Sequence, residues 1–338
     1  MASPEAPAQA ADPQLPAPRR AFRLLGLAGL AAAGAAVLAA ALWFWPQETA
    51  GPAPGIGNDP GLVTKVESLY NDIYVYRQDD GDYLLSFGAK RLRYIESIID
   101  PKDELALPVA YTQSMTTGLA YAGELKKAMI IGLGGGRTAW YHHKSVPGMK
   151  MTAVELDPAV VDIAGEYFKV RPEPGFDIVV EDGRVFLTRS QDRYDIILVD
   201  AYRGPFVPFH LLTSEFYRLV AEHLAPGGVA VQNVEPSTML FDPAVATIRS
   251  AFDHVVFVAG EGNIVILAYN GPEKDEAALK QAAAARQAQY HFRYDLTQLL
   301  NRRFTPRYNA RAAPLTDDFA PVEYLKAIAR HNEKQAEE

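Results

Sequence analysis

The chain contains no cysteine, which removes disulfides, thiolate nucleophiles and cysteine metal ligands together. It also lacks an excess of positive charge. Its 33 Lys and Arg stand against 41 Asp and Glu, for a formal net charge of -8. A nucleic-acid partner would need a basic face, so none is expected. Histidine is scarce, with 7 residues; His142 and His143 adjoin on an expected helix with no partner at ligand spacing, and no metal site is expected. No Gly-Lys-Ser or Gly-Lys-Thr phosphate loop occurs, which excludes the P-loop nucleoside triphosphatases. What the chain does have is 338 residues, 49% hydrophobic and 22% charged, enough for one mid-sized globular body with extensions. Its acidic balance is compatible with a cationic substrate.

Residues 127–140 read KAMIIGLGGGRTAW. A short apolar run breaks into Gly132, Gly134, Gly135 and Gly136, and a helix-compatible segment begins near Arg137. This is the strand, glycine turn and helix of a nucleotide-binding α/β unit: glycines allow backbone angles closed to other residues and let a ligand approach the main chain. Three further apolar strands are expected over residues 150–156, 176–182 and 194–200, ending respectively at Glu155, at Glu181, Asp182 and Gly183, and at Asp200. Open α/β sheets bind ligands at the carboxyl ends of their strands, and these acids all fall there.

Along the chain, residues 1–50 read as a disordered Ala- and Pro-rich start followed by a transmembrane or signal segment. Residues 24–45 carry no charge and are about long enough for one crossing, with Trp43 and Trp45 at the end where interfacial aromatics belong. Arg19, Arg20 and Arg23 precede this run, so the positive-inside rule predicts a single-pass anchor in an inner or cell membrane and an extracytoplasmic body. Arg19 and Arg20 also resemble a twin-arginine export signal. Residues 51–61 form a Pro- and Gly-rich linker, and residues 62–105 alternate as a small β-hairpin subdomain. Residues 106–270 hold the glycine unit, with a helix over 108–121, a fifth strand over 228–234 and a closing antiparallel pair over 254–259 and 263–268. Residues 271–338 read as a C-terminal helical extension. The expected class is therefore α/β: a methyltransferase-like Rossmann sheet of seven strands with the last antiparallel, an N-terminal β-hairpin and one N-terminal transmembrane helix.

Several of these pieces carry a resemblance. Glu67-Ser68-Leu69-Tyr70-Asn71-Asp72-Ile73, the glycine turn, Val154-Glu155-Leu156-Asp157, Glu181-Asp182-Gly183, residues 194–200 and Leu224-Ala225-Pro226-Gly227-Gly228 occur in the order and spacing of the spermidine synthase family of polyamine aminopropyltransferases. The resemblance implies an S-adenosyl donor, either decarboxylated S-adenosylmethionine or S-adenosylmethionine, and a small amine acceptor such as putrescine. It places the donor on Asn71, Gly132, Gly134, Gly135, Gly136, Glu155, Asp182, Gly183 and Asp200. Glu155 would hold the ribose hydroxyls and Asp182 the adenine amino group. A homodimer is also expected.

The departures from that family are at charged positions. Gly135 stands where the family has an aspartate that grips the donor amine, and Arg203 where a second aspartate takes a proton from the acceptor. Arg91 falls near a family glutamine. An arginine is always charged, is no base at neutral pH and repels a polyamine. The base is then to be sought at Asp200, Glu235 or the pair Asp317 and Asp318, although the last two read first as a helix start. Tyr70, Tyr111 and Tyr202 are candidates to meet a sulfonium or ammonium through their ring faces. Arg203, Arg91 and Arg137 suggest a second reading, in which a carboxylate-bearing S-adenosylmethionine is used for methyl transfer or cleavage. A non-catalytic nucleoside-binding membrane protein is the third.

Overall fold

The computed structural model describes residues 61–88, 94–203 and 206–318, together with Lys326. The apolar segment 24–45, the arginines before it, the linker up to residue 60 and Arg91 lie outside the described residues. Among the described residues no helix is long and apolar enough to cross a membrane.

The chain first forms β1 (Leu62–Glu67), β2 (Asp72–Arg77), β3 (Tyr83–Phe87) and β4 (Tyr94–Ile99), an antiparallel meander in that order. A four-stranded sheet thus replaces the expected hairpin, because residues 94–99 supply a further strand that pairs along β3. Period-2 alternation turns Ile73, Val75, Leu85, Phe87 and Ile99 to one face. That face closes on Val160, Ile163 and Phe168 in and just after helix α4 (Pro158–Tyr167), so the small sheet shares its core with the large one's helical layer.

The large sheet contains β5 (Lys127–Ile131), β6 (Lys150–Glu155), β7 (Phe176–Val180), β8 (Tyr194–Val199), β9 (Leu224–Val234), β10 (His254–Gly260), β11 (Asn263–Tyr269) and β12 (Arg303–Phe304). Their spatial order is β12-β10-β11-β9-β8-β5-β6-β7. Strands β5 to β9 pair in parallel, and β11 lies antiparallel between β9 and β10. This is the expected seven-stranded arrangement, extended by β12 at one edge. Every residue of β8 is buried, as both faces of the sheet are covered. The one charge in β8, Asp195, accepts bonds from the backbone N–H groups of Lys126 (2.7 Å) and Lys127 (2.9 Å) and so ties β8 to the start of β5.

Helices α1 (Ala110–Met115) and α2 (Gly118–Tyr121) replace the single helix expected over 108–121. The Thr112 and Thr116 hydroxyls bond back to the carbonyls of Val109 and Gln113, a local competition that favours short turns over one long helix. Helix α3 (Arg137–Ser145) follows the glycine turn, α5 (Gly183–Arg189) follows β7, α6 (Ser214–Glu222) precedes β9, and α7 (Phe241–Ala251) precedes β10. The C-terminal extension contributes helices α8 (Glu276–Tyr290) and α9 (Leu296–Leu300) among the described residues. It then adds β12 to the sheet and folds back, burying Leu315 where its backbone bonds Ser214 and Thr247.

The order of β5 and β8 decides where a ligand sits. From β5 the chain winds outward through β6 and β7, then crosses to β8 on the other side. A crevice opens at such a switch, outside the strand ends.

Candidate active site

A cavity of about 670 Å³ occupies that crevice, roofed by the β1–β2 loop and floored by the glycine turn and the ends of β6 and β8. Gly132 has φ +89, and a Cβ there would lie 2.4 Å from the Asp200 carbonyl oxygen. Only glycine lets the turn lie against the end of β8, where Asp200 N–H donates to the Ile131 carbonyl at 2.8 Å.

Each acid at a strand end is held differently. Glu155 Oε2 accepts the Leu133 N–H at 2.7 Å and its Oε1 the Asp157 N–H at 3.0 Å; burial nevertheless raises its pKa. Asp157 caps α4 through the Ala159 N–H (3.0 Å) and also accepts the Ser68 hydroxyl. Ser68 in turn receives the N–H groups of Tyr70 (3.0 Å) and Asn71 (2.9 Å). The β1–β2 loop is therefore pinned to the rim, with Asn71 and Tyr70 lining the cavity.

Asp182 caps α5 through Arg184 and Val185, and its Oδ2 lies 2.8 Å from His210 Nε2. The His210 contact, ahead of the capping bonds, holds its carboxyl below the usual range. Asp200 is shielded by burial, which pushes its pKa up to about 6. Its Oδ1 accepts Asn233 Nδ2 at 2.9 Å and its Oδ2 the Tyr111 hydroxyl at 3.3 Å. Asn233 is oriented by Asn263 (2.9 Å), and its carbonyl receives the Tyr202 hydroxyl (2.8 Å). A further carboxylate, Glu96 on β4, joins Asp72, Glu155, Asp157, Asp182 and Asp200 in the cavity lining. Its Oε1 is fully shielded and has no hydrogen-bond partner among the described residues. Burial first, then the charges of Asp200 and Glu155, push its pKa up to about 8.

The spermine/spermidine synthase domain matches residues 110–271. A polyamine aminopropyltransferase of Vibrio vulnificus (strain CMCP6) is 31% identical over 275 residues, spanning 78% of this chain and 91% of that protein. The chain belongs to the polyamine aminopropyltransferase family. A probable polyamine aminopropyl transferase of Bifidobacterium longum (strain NCC 2705) is 30% identical over 293 residues, 79% of this chain and 63% of that one. Among solved structures, a probable spermidine synthase from Corynebacterium glutamicum ATCC 13032 shares the fold with TM-score 0.58 at 23% identity, covering 76% of this chain and 99% of that one. Spermidine synthase from Thermotoga maritima gives TM-score 0.59 at 19% identity, over 72% and 84%.

Within this family frame, the cavity gathers Asn71, Gly132, Gly134, Glu155, Asp182, Gly183, Asp200, Tyr111, Tyr202 and Arg203. Gly135 and Gly136 do not line it. At Gly135 a Cβ would strike Ser97 Oγ at 2.4 Å and the Phe168 ring at 2.6 Å, and at Gly136 it would meet Val170 at 2.7 Å. These two glycines serve packing behind the turn.

Three sequence expectations are corrected. Arg137 is 3% exposed and points away from the cavity, donating to the carbonyls of Phe168 and Glu104, so it meets no ligand carboxylate. Asp317 forms a two-pronged ion pair with Arg184, at 2.8 and 2.5 Å, which lowers its pKa. Neither it nor Asp318 lines the cavity, so neither is placed to act as a base there. Glu235 is likewise outside the lining and accepts the Ser237 N–H at 3.0 Å.

Glu96, His210 and Asn233 were missed by sequence reasoning. Glu96 left a signal, being a lone carboxylate in the strand YIESII. The other two left none, because His210 sits on a short 3-10 turn and Asn233 at a buried strand end with no local pattern.

Proposed function

We propose that this transferase moves an aminopropyl-type group from decarboxylated S-adenosylmethionine to a small amine such as putrescine. In this reading Glu155 holds the ribose and Asp182 the adenine amino group. The acceptor amine attacks the carbon beside the sulfonium; a C–N bond forms, the C–S bond breaks, and methylthioadenosine leaves with the electron pair. A proton must leave the acceptor ammonium for this to happen. Asp200 is the group suited to take it, and that observation carries the reading. It is half-buried beside the glycine turn, fixed by Asn233 and Tyr111, and its pKa of about 6 leaves it ionised yet basic near neutrality. Arg203 stands at the exposed rim and keeps its charge, so it does not serve as a base.

Arg203 is also the observation that favours a second reading, in which its guanidinium receives the carboxylate of S-adenosylmethionine and a methyl group is transferred. Incubating the purified chain with each donor plus putrescine separates the two. Methylthioadenosine and spermidine from the decarboxylated donor are expected. S-adenosylhomocysteine from the carboxylated donor would replace the first reading by the second, and no product from either would overturn both.

A further inference from the structure

Both donors on the Asp200 carboxylate trace back to one turn. The β10–β11 hairpin closes through Glu261 (φ +52) and Gly262 (φ +111), with Gly260 paired to Asn263. A Cβ at Gly260 would lie 2.8 Å from the Tyr111 Cβ, so a side chain there would push the hairpin off the helix that carries Tyr111. Asn263 Nδ2 donates to Asn233 Oδ1 at 2.9 Å. Asn233 itself is buried, and its backbone carbonyl accepts both the Tyr202 hydroxyl (2.8 Å) and Gln232 Nε2 (2.7 Å), which pins its main chain. What remains adjustable is the direction of its amide. With Nδ2 toward Asp200 the amide donates to a carboxylate; turned over, it offers Oδ1 and suits only the protonated acid. The bond from Asn263 occupies Oδ1 and selects the first arrangement.

We infer that Asn263 and Asn233 are a positioning pair for the proton acceptor: Asn263 fixes the direction of the Asn233 amide, and that amide holds Asp200 as the carboxylate. Neither asparagine lines the cavity, so neither needs to touch a substrate to do this. The physical reason is that a hydrogen bond to an ionised acceptor is stronger than one to its neutral form, so the pair favours the state of Asp200 that can take a proton. Asn263 reaches Asp200 only through Asn233, and the two therefore act as a unit. The inference rests on the proposed role of Asp200 and adds the residues, set back from the cavity, that keep it ready.

The test compares the full chain with its Asn233→Ala, Asn263→Ala and doubly substituted variants by two readouts. One is carbon-13 carboxyl NMR against pH, with the Asp200 signal identified by its loss in Asp200→Asn. The other is the pH profile of kcat/KM for methylthioadenosine release from decarboxylated S-adenosylmethionine and putrescine. Asn233→Ala is expected to raise the Asp200 midpoint from about 6 by about one to two pH units, the scale of one hydrogen bond to a charged group. Asn263→Ala should move it the same way by about one unit or less, and the double variant no further than Asn233→Ala, since one bond carries both effects. The remaining groups facing Asp200, namely Glu96 from β4, Tyr111 from α1 and Tyr202 after β8, are present in every variant, so the differences read the amide pair. The acid limb of kcat/KM should follow the midpoint upward, with activity recovered above it. A merely structural role would lower the whole profile and leave the limb in place. An unmoved Asp200 midpoint in Asn263→Ala, or additive shifts in the double variant, would overturn the inference. Midpoints that shift as expected in a chain that forms no methylthioadenosine would support the pairing and remove the aminopropyl reading instead.

Discussion

Replacing Glu96 by Gln should make the protein more stable, and increasingly so as the pH rises. The native carboxyl titrates at about 8, against 4.5 for the unperturbed group. Below pH 4.5 both folded and unfolded chains hold the proton, and Glu96 contributes no pH dependence. Between these values the unfolded chain has released the proton while the native one retains it, so stability falls with rising pH. Above about 8 the loss is complete. At 1.36 kcal/mol per tenfold change in proton affinity the ceiling is about 5 kcal/mol. Glu96 is half-buried as a residue although its Oε1 is sealed, and this residual solvent contact reduces the expected gain to about 2–4 kcal/mol. The repulsion from Asp200 and Glu155 is already contained in that shift. Urea unfolding followed by far-UV circular dichroism at pH 5, 6.5 and 8.5 measures it. The variant should be about as stable as the wild type near pH 5 and well ahead at pH 8.5. A difference that does not change with pH, or a less stable variant at pH 8.5, would refute the reasoning.

Two other outcomes follow from the same geometry. Asp200→Asn should lower aminopropyl transfer by roughly 10²–10⁴, and wild-type kcat/KM should rise with pH through about 6 as Asp200 ionises; a variant retaining activity within tenfold would remove Asp200 as proton acceptor. Gly135→Ala should cost about 1–3 kcal/mol through overpacking against Ser97 and Phe168, and adding Ser97→Gly should recover part of it in a double-mutant cycle read by urea unfolding; strictly additive losses would show that the Ser97 contact is not the cause.

Much of this molecule was written in local patterns. The apolar runs of β5 to β8 and their terminal acids appear as contiguous residues, because a parallel strand buried on both faces leaves a short continuous hydrophobic signature. The glycine turn is equally legible, since Gly132 answers a backbone conformation and a close approach that no other residue permits. The fourth strand of the small sheet was harder to read, as its pairing to β3 is decided by partners across a turn. Residue types alone also left the direction of charged side chains open. Arg137 stands next to the ligand turn in sequence, yet helix α3 aims it into the packing behind that turn. Asp317 is an acid in a motif-like tail, yet Arg184 claims it.

Sequence by itself determined the strand order's raw material, the bare turn and the acids at its rim, all of them properties of a few consecutive residues. Only the tertiary structure decided which acids share one cavity, because Glu96, Glu155 and Asp200 come from β4, β6 and the end of β8. Their mutual repulsion, the free oxygen of Glu96 and the shielded basicity of Asp200 depend on distance and exclusion of water, and neither quantity exists until the two sheets have packed.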